Sequence, residues 1–339
     1  MNTQPDTQSV VSVGGATALI AVKDLSVVYR SKGRRVLAVD QVSFNIARGH
    51  TLGLVGESGS GKSTIASVIL GLVRATSGTV SFAGEPLQRH TRAERAALAR
   101  RIQAVFQDPF GSMNPTRKVG DTLAEMLRYN LKKNPAEVAE RLEQILTEVG
   151  MDANVLDRYP TQFSGGQLQR LAIARALAVE PEFLICDEAV SSLDLSVQAQ
   201  VINLLVRLTK ARGLTNLFIS HDLSVVSYLS DEIVVLFAGQ VMEYGSVAAV
   251  AHHPQHPYTQ ALVLAAPVPD VMAQAQRRAS RLAQTRANNV ASAQRTPAGC
   301  PFVQRCSYSE SVCLTLRPRL SELPSGSQVA CHVVTRSNG

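Results

Sequence analysis

The sequence predicts an α/β protein in which helices cover a largely parallel β-sheet. A glycine-rich turn separates a strand-like apolar run from a helix-like run within residues 51–72. Strand-like and helix-like segments alternate from residue 164 to residue 244, as they do where crossover helices join parallel strands. Helical patterns dominate residues 91–150 between these two regions, and we interpret this stretch as an inserted helical subdomain.

The first strands precede the glycine-rich turn. Residues 18–29 and 36–46 alternate loosely between apolar and polar side chains, which is typical of half-buried strands. Residues 30–35 are predicted to form the turn between them, and residues 78–82 a short strand that follows a Ser-Gly turn. The polar residues 1–16 are interpreted as a disordered tail.

The clearest helix of the insert is predicted at 134–149. Asn134 can cap its first turn, and Pro135 suits the first helical position. Glu137 completes an approximate capping box, and Gly150 ends the helix. One face of this helix carries the apolar side chains Val138, Leu142, Ile145, Leu146 and Val149.

The α/β pattern after the insert predicts further helices and strands. The predicted helices are 166–178 and 196–212, and the predicted strands are 183–186, 215–220, 233–237 and 241–244. The last two strands are joined across Gly239 and should form a hairpin.

The composition favours a protein with a substantial core that stays in the cytoplasm. Of the 339 residues, 45% are hydrophobic. The longest charge-free stretch near the N-terminus, 7–22, is too polar and too short to span a bilayer, and no Lys or Arg precedes it. We therefore expect neither a membrane span nor a secretory signal. Part of the net charge of +7 lies in 89–101 and 272–296, which we interpret as a solvated helix face and a solvated linker.

The glycine-rich turn matches the phosphate-binding pattern G-x-x-x-x-G-K-[ST]. It consists of Gly56, Glu57, Ser58, Gly59, Ser60, Gly61, Lys62, Ser63 and Thr64. The glycines let backbone N–H groups converge on an anion, and the following helix adds the positive end of its dipole. Lys62 would reach the β- and γ-phosphates, and the Ser63 hydroxyl would bind Mg²⁺. The pattern predicts a protein that binds a nucleoside triphosphate.

An acidic pair follows the buried strand predicted at 183–186. Asp187 suits the Mg²⁺ shell, directly or through water, because Mg²⁺ prefers oxygen ligands. Glu188 suits a base that polarises an attacking water. Open α/β sheets place ligand-handling groups at the carboxyl ends of their strands, so this position favours a catalytic role.

Five further motifs stand in order along the chain. They are Tyr29 at the end of the first strand, Gln107 in Val105-Phe106-Gln107-Asp108-Pro109, Phe163-Ser164-Gly165-Gly166-Gln167, Ser191-Ser192-Leu193-Asp194, and His221 in Phe218-Ile219-Ser220-His221-Asp222. They resemble, respectively, the adenine-stacking aromatic, glutamine loop, signature motif, D-loop and switch histidine of the ATP-binding-cassette (ABC) ATPases. The resemblance covers about 18–258.

This resemblance implies the fold of the family, an ABC-type P-loop NTPase. Such a fold has a RecA-like core sheet, an antiparallel β subdomain and an inserted helical subdomain. The nucleotide-binding domain would occupy 17–250, with the helical subdomain at about 90–165. Residues 251–297 would be a connecting segment and basic linker, and 298–339 a small Cys-rich C-terminal extension.

The resemblance also implies a role for each matched residue in binding and hydrolysing Mg-ATP. Tyr29 would stack on adenine. Gln107 would supply a neutral amide ligand near Mg²⁺ and the attacking water. His221 would hydrogen-bond the γ-phosphate and hold the water against Glu188.

The signature motif implies that a second subunit completes the site. In this family the signature surface faces the γ-phosphate bound by the opposite subunit, and a helix N-terminus favours such an anion. In this sequence the signature residues are Ser164, Gly165, Gly166 and Gln167. Asp194 of the D-loop is also expected to help bind the nucleotide. Because the sequence contains one set of motifs, hydrolysis should need two paired ATPase subunits.

A finer resemblance is to the importers of di- and oligopeptides and of related solutes such as nickel. It rests on 106–116, and also on 56–59 and 256–259. It implies two transmembrane permease subunits, a second ATPase subunit (a copy or a paralogue), an extracytoplasmic solute-binding protein, and a peripheral location on the cytoplasmic face of the membrane. Ala189 replaces a usual proline and Gln162 a usual acid, which affects the expectation for subunit coupling but not for nucleotide chemistry.

Two other interpretations remain open from the sequence. The basic charge would suit a cassette ATPase that acts on nucleic acid or ribosomes, although such proteins usually pair two cassettes in one chain or carry long inserts. Alternatively, the chain could be a regulatory partner with a weak site, against which the intact Glu188, His221 and signature argue.

Cysteines crowd into the end of the chain. Cys186 lies in an apolar strand and is most simply a small buried hydrophobe, whereas the other four are Cys300, Cys306, Cys313 and Cys331. Disulfides are improbable in the cytosol, so these four cysteines should either bind a metal or remain free thiols. Four thiolates can bind a [4Fe–4S] cluster or tetrahedral Zn²⁺. The spacing lacks the paired C-x2-C knuckles usual for zinc. This tail resembles the C-terminal extension of peptide-importer ATPases, some of which carry an iron–sulfur cluster.

Overall fold

The computed structural model describes residues 18–31, 34–87, 91–131, 134–265 and 298–337. The predicted tail 1–16 and most of the predicted basic linker lie outside these residues. The described residues divide into two compact units. The first unit, which we call the phosphate-loop unit, lies within 1–47, 51–88 and 220–339, and the second, the signature unit, within 48–50 and 89–219.

Strands and helices are numbered in chain order. The described strands are β1 Ala18–Ser31, β2 Arg34–Ala47, β3 Thr51–Val55, β4 Ser77–Phe82, β5 Glu85–Pro86, β6 Ile102–Phe106, β7 Phe183–Asp187, β8 Thr215–Ser220, β9 Glu232–Phe237, β10 Gln240–Ser246, β11 Ser321–Glu322 and β12 Gln328–Val329. The described α-helices are α1 Lys62–Ile69, α2 Arg92–Arg101, α3 Val119–Leu131, α4 Pro135–Glu148, α5 Gly165–Leu177, α6 Leu195–Arg212, α7 Leu223–Leu229, α8 Pro257–Ala265, α9 Ser311–Thr315 and α10 His332–Ser337.

The phosphate-loop unit begins with an antiparallel sheet in the order β2-β1-β4-β5. Alternating apolar residues of β1, β2 and β4 form its buried face, so the predicted strands 18–29, 36–46 and 78–82 are confirmed. The predicted turn at 30–35 is shorter than expected, because β1 continues to Ser31 and β2 starts at Arg34. The two long strands pair nearly to their ends, with Ser31 opposite Arg34.

A second set of strands in this unit runs in the order β11-β12-β10-β9-β3. Strand β3 is buried at every residue and runs parallel to β9. The predicted hairpin of β9 and β10 is confirmed, since Ala238 and Gly239 both have positive φ angles, 48° and 83°, which a type I′ turn requires.

Two segments predicted as linker or separate tail are parts of this unit. The start of the predicted connecting segment, 251–297, instead runs into α8, where His256 and Tyr258 are buried. Strand β12 of the C-terminal extension pairs antiparallel with β10, so the extension continues a sheet of the nucleotide-binding core. Contacts with residues distant in the sequence stabilise both segments, and composition alone does not reveal such contacts.

The signature unit contains the parallel strands β8-β7-β6 and most of the helices. Strand β6 is a correction, because it lies within 91–150, where helices were predicted to dominate and no strand was predicted. Its residue Val105 pairs with Cys186 of β7. Helix α4 is confirmed with its predicted cap. The Asn134 side chain accepts from the Glu137 amide at 3.0 Å, and Glu137 accepts from the Asn134 amide at 2.9 Å.

The apolar faces of α3, α4 and α5 pack into one core. Its members include Val119, Leu123, Leu127, Val138, Leu142, Leu146, Leu168 and Leu171. Among the described residues no helix combines the length and hydropathy needed to cross a bilayer.

Candidate functional site

The phosphate loop joins β3 to α1 in a conformation that only glycine suits. A Cβ on Gly56 would lie 2.2 Å from the carbonyl oxygen of Leu236, and one on Gly61 would lie 2.6 Å from that of Ala38. Gly61, which precedes α1, has φ 104° and Gly59 has φ 76°, a region that disfavours L side chains. The loop is therefore shaped by backbone contacts that any larger residue would break.

The Lys62 side chain is folded against the inside of the loop. It is only 4% exposed. Its Nζ donates to the carbonyl oxygens of Gly56 at 2.7 Å and Glu57 at 2.9 Å. The loop backbone is tied further by the Ser60 amide, which donates to the Glu57 carbonyl at 3.1 Å. An ammonium group held among carbonyls at a helix N-terminus can exchange these partners for phosphate oxygens.

Tyr29 lies beside the start of α1. Its hydroxyl donates to Oγ1 of Thr64 over 3.4 Å, and 41% of the residue is exposed. Ser63 occupies the first turn of the same helix. The structure thus brings together Tyr29, Thr64 and Ser63, with the ring of Tyr29 open enough for a purine to stack on it.

His221, in the same unit, follows β8 directly and is exposed. The next residue, Asp222, caps α7 by accepting from the Ser224 amide at 2.8 Å. The Asp222 amide in turn donates to Oγ of Ser220 at 3.0 Å. These bonds fix the backbone on both sides of His221 and leave its ring at the surface.

Asp187 and Glu188 stand at the carboxyl end of β7 in the signature unit. Glu188 has φ 50°, an unusual value for a residue other than glycine, and such strain concentrates at functional positions. The Glu188 amide donates to the Ile219 carbonyl at 3.0 Å, and the Glu188 carbonyl accepts from the Ser191 amide at 3.1 Å and from its Oγ at 2.9 Å. The sequence did not reveal this backbone geometry.

Gln107 lies near Asp187 because their strands are neighbours. Phe106, the last residue of β6, pairs in register with Asp187. The Gln107 carbonyl accepts from Oγ of Ser192 at 3.1 Å, which ties the glutamine loop to the D-loop. An amide and a carboxylate at adjacent strand ends are oxygen ligands of the kind Mg²⁺ uses.

The signature motif forms the capped N-terminus of α5. The Ser164 amide donates to Oε1 of Gln167 at 3.0 Å, and the Gln167 amide donates to Oγ of Ser164 at 3.4 Å. This capping box has the S-x-x-Q pattern, so it could have been predicted. A Cβ on Gly166 would lie 2.3 Å from Cγ1 of Val197. Ser164 and Gln167 are exposed, as a surface for a partner requires.

Asp194 has a local role in this structure. Its carboxylate accepts from the Val197 amide at 3.0 Å and from Oγ of Ser196 at 2.7 Å, capping α6. The hydrogen bond from Ser196 is the main reason that the pKa of Asp194 lies below its usual value. Its exposed position on the D-loop is compatible with a contact to a partner subunit.

The C-terminal cysteines lie near one another but do not form a closed metal site. The pKa of Cys300 is raised to about 12, mainly by burial and in smaller part by the neighbouring Cys306, Cys313 and Cys331. The Cys300 amide donates to the Cys313 carbonyl at 2.8 Å. In the described chain no three His, Cys, Asp or Glu side chains converge on one ion. Four thiols are suitable ligands for a metal. To bind one ion or cluster, however, their sulfur atoms would have to move closer together than they are in this structure.

Cys186 differs from these four residues. It is buried in β7, and burial raises its pKa to about 12, as expected for an inert structural thiol. All five cysteines fall in described segments, and none forms a disulfide.

Comparison with known proteins identifies two regions of the chain. Residues 39–191 match the family model described as ABC transporter, and residues 242–313 match the one described as oligopeptide/dipeptide transporter, C-terminal region. The chain is 42% identical to the oligopeptide transport ATP-binding protein OppF of Escherichia coli, over 90% of this chain and 93% of that protein. It is 44% identical to OppF of Salmonella typhimurium, over 84% of each chain.

Solved structures confirm the predicted fold. The chain is similar to cbiO1 of Clostridium perfringens, part of the ABC transporter complex cbiONQ, with a TM-score of 0.63, 27% identity, and coverage of 74% of this chain and 94% of that one. It is also similar to the ATP-binding cassette MJ0796 in a dimeric post-hydrolysis state bound to ADP and Pi, with a TM-score of 0.62, 27% identity, and coverage of 67% and 98%. This chain therefore belongs to the ATP-hydrolysing subunits of the ABC transporter family, in the branch with the oligopeptide/dipeptide C-terminal region.

Proposed function

We propose that this chain powers the import of di- or oligopeptides through a membrane ABC transporter. The observation that carries the proposal is its 42% identity, over nine-tenths of the chain, to a protein named for oligopeptide transport. The match of residues 242–313 to the C-terminal region of such transporters supports it. Import of nickel or another small solute by the same ATPase is the alternative within this branch.

The phosphate loop binds the nucleotide in this proposal. Its backbone N–H groups and Lys62 hold the β- and γ-phosphates, and Tyr29 stacks on the adenine. Ser63, Gln107 and Asp187 would hold Mg²⁺, which would supply positive charge to offset that of the phosphates. Lys62 exchanges its two carbonyl partners for phosphate oxygens when the nucleotide enters.

Glu188 and His221 carry the hydrolytic step. Glu188 takes a proton from a water molecule as the water oxygen bonds to the γ-phosphorus. The bond between this phosphorus and the β–γ bridging oxygen breaks, and its electron pair stays on ADP. His221 donates a hydrogen bond to the γ-phosphate and holds the water in line.

A second ATPase subunit completes each site. The N-terminus of α5, with the exposed Ser164 and with Gly165 and Gly166, faces the γ-phosphate bound by that companion, where its amides and dipole stabilise the anion. Closure of the pair drives two transmembrane permeases, to which the ATPases attach on the cytoplasmic face. An extracytoplasmic binding protein delivers the solute.

The transport proposal predicts which molecules stimulate ATP hydrolysis. The complete transporter, with its permeases and its second ATPase, is placed in lipid vesicles with its binding protein. We expect a short peptide such as trialanine, bound to the binding protein, to raise the ATPase rate several-fold, and Ni²⁺ or RNA to leave it unchanged. Stimulation by Ni²⁺ alone would support the nickel alternative, and stimulation by RNA would contradict a transport role.

The extension holds a metal centre in this proposal, a [4Fe–4S] cluster rather than Zn²⁺. Two observations support it. Cys306, Cys313 and Cys331 lie near enough to Cys300 to raise its pKa, and the spacing of the four cysteines along the sequence differs from that of zinc knuckles. Metal binding would offset the cost of bringing the thiolates together and would order a small lobe.

The cluster proposal predicts a coloured protein. Protein purified without oxygen should contain iron and sulfide in equal amounts and absorb visible light. Cys313→Ser should lose this absorption, because one ligand is removed, whereas Cys186→Ala should keep it, since Cys186 lies in β7 outside the extension. One Zn²⁺ per chain would favour the zinc alternative, and metal-free protein with full ATPase activity would refute a metal centre.

A further inference from the structure

Every polar group of Glu57 is engaged, although its position in the phosphate-loop pattern is a variable one. Its amide donates to the hydroxyl oxygen of Tyr258 at 3.0 Å. Its carbonyl oxygen accepts from Nζ of Lys62 at 2.9 Å. Its carboxylate accepts two hydrogen bonds from Arg305, at 2.8 Å and 2.9 Å. Glu57 therefore joins the loop to two residues far along the chain.

Arg305 belongs to the C-terminal extension. It pairs with Glu57 through two parallel N–H···O bonds, the arrangement that makes arginine–carboxylate contacts strong and directional. Its guanidinium also lies over the rings of Phe302, at 5.4 Å, and Phe237, at 5.5 Å. The bond to Glu57 is the main cause that raises the pKa of Arg305. The guanidinium of Arg305 is thus fixed by hydrogen bonds in its plane and by aromatic rings stacked on its face.

Tyr258 is a rigid support for the same loop residue. It is fully buried, and its ring packs against Phe237, with centroids 4.8 Å apart, and Phe302, 5.3 Å apart. Its amide donates to Nδ1 of His256 at 3.0 Å, and the His256 amide donates to buried Glu243 at 3.0 Å. Because this chain of bonds starts in β10, the Tyr258 hydroxyl has little freedom to move.

We propose that Arg305 and Tyr258 are positioning residues for the phosphate loop, through which the C-terminal extension sets the affinity for ATP. Because Glu57 is bound at both its amide and its carboxylate, the backbone of the loop is fixed at this residue. The position of the Glu57 carbonyl, which accepts from Lys62, is fixed with it. A loop ordered before binding loses less conformational freedom when phosphate enters. The inference rests on the proposed role of the loop in ATP binding.

The position of Arg305 connects this effect to the cysteines. Arg305 immediately precedes Cys306, and Phe302 lies two residues after Cys300. The short 3₁₀ turn Val303–Arg305 separates the two cysteines. A change that reorders this turn is therefore transmitted to Glu57.

Titration of the full-length chain with a fluorescent ATP analogue and Mg²⁺ tests the proposal. We expect Arg305→Ala to weaken binding about 3- to 10-fold, as fits a charged pair that is partly exposed. Tyr258→Phe, which removes only the hydroxyl, should weaken it about 2- to 5-fold. Arg336→Ala is the matched control, because it removes another ion pair of the extension, that with Glu310, and should leave affinity unchanged.

A double-mutant cycle separates positioning from general stability. Glu57→Gln and Arg305→Ala should be strongly non-additive in ATP affinity, and Arg305→Lys should recover only part of it, because lysine keeps the charge without the bidentate geometry. The kcat of the assembled pair should change less than its KM. Unchanged affinity in both Arg305→Ala and Arg305→Lys would overturn the proposal. A normal affinity in Lys62→Ala would instead refute the nucleotide site itself, so the two failures are distinguishable.

Discussion

Glu188→Gln is expected to abolish ATP turnover while ATP still binds. The neutral amide is close to the carboxylate in size but cannot accept a proton from water. General-base catalysis typically contributes about 100- to 10,000-fold, so kcat should fall by at least about 100-fold. The affinity for ATP should stay within about twofold, because the phosphates are held by other residues. Phosphate release under saturating ATP and equilibrium nucleotide binding are the two measurements.

Glu180 supplies a matched control for this substitution. Like Glu188 it has a positive φ, 55°, and it lies in the same unit just before β7. Its exposed side chain makes one long contact with Arg141, at 3.3 Å. Glu180→Gln should therefore leave turnover unchanged. Retained turnover in Glu188→Gln would remove Glu188 as the base, and an equal loss in Glu180→Gln would show that the effect is not specific to the site.

Lys62→Ala is expected to weaken ATP binding about 10- to 100-fold. Its ammonium is the buried cation of the loop, and a charge-assisted hydrogen bond contributes about 1.5–3 kcal/mol. The substitution also removes the hydrogen bonds that Lys62 donates to the Gly56 and Glu57 carbonyls. The thermal midpoint without nucleotide should consequently fall by a few degrees, and added ATP should no longer raise it.

Lys23→Ala serves as the control for loss of a lysine charge in the same unit. Lys23 is exposed on β1, opposite Thr79 of β4. Its removal should leave both ATP affinity and the stabilisation by ATP intact. If Lys62→Ala still binds ATP with normal affinity, the phosphate loop is not the site of the triphosphate.

Local patterns predict most of this fold. Strand β8 and the caps of α4 follow from residues adjacent in sequence, and the structure matches both. Strand β6 could not be predicted in the same way, because it continues from α2 without a turn and owes its conformation to pairing with β7. His256 and Tyr258 were assigned to a linker for a related reason: the partner that organises them, Glu243, lies in a different element.

In the candidate site, too, the features set by local sequence could be predicted, whereas those set by contacts between distant residues could not. The phosphate loop, the acidic pair and the signature are short motifs whose spacing reports their chemistry. The contact between Glu57 and Arg305 spans 248 residues, and no local pattern specifies it. The positive φ of Glu188 likewise depends on the bond from its amide to Ile219, which forms only when β7 and β8 lie side by side.

The most direct test of the account is whether Mg-ATP pairs this chain with a companion ATPase. The chain carrying Glu188→Gln, which cannot turn over its ATP, is mixed with a second copy or with a paralogous companion ATPase, and the mass is measured by light scattering. The account predicts a dimer with ATP, monomers with ADP, and monomers with ATP when Gly166→Asp is added, because that side chain meets Val197 and places a charge at the signature. Monomers with ATP in every pairing would contradict it.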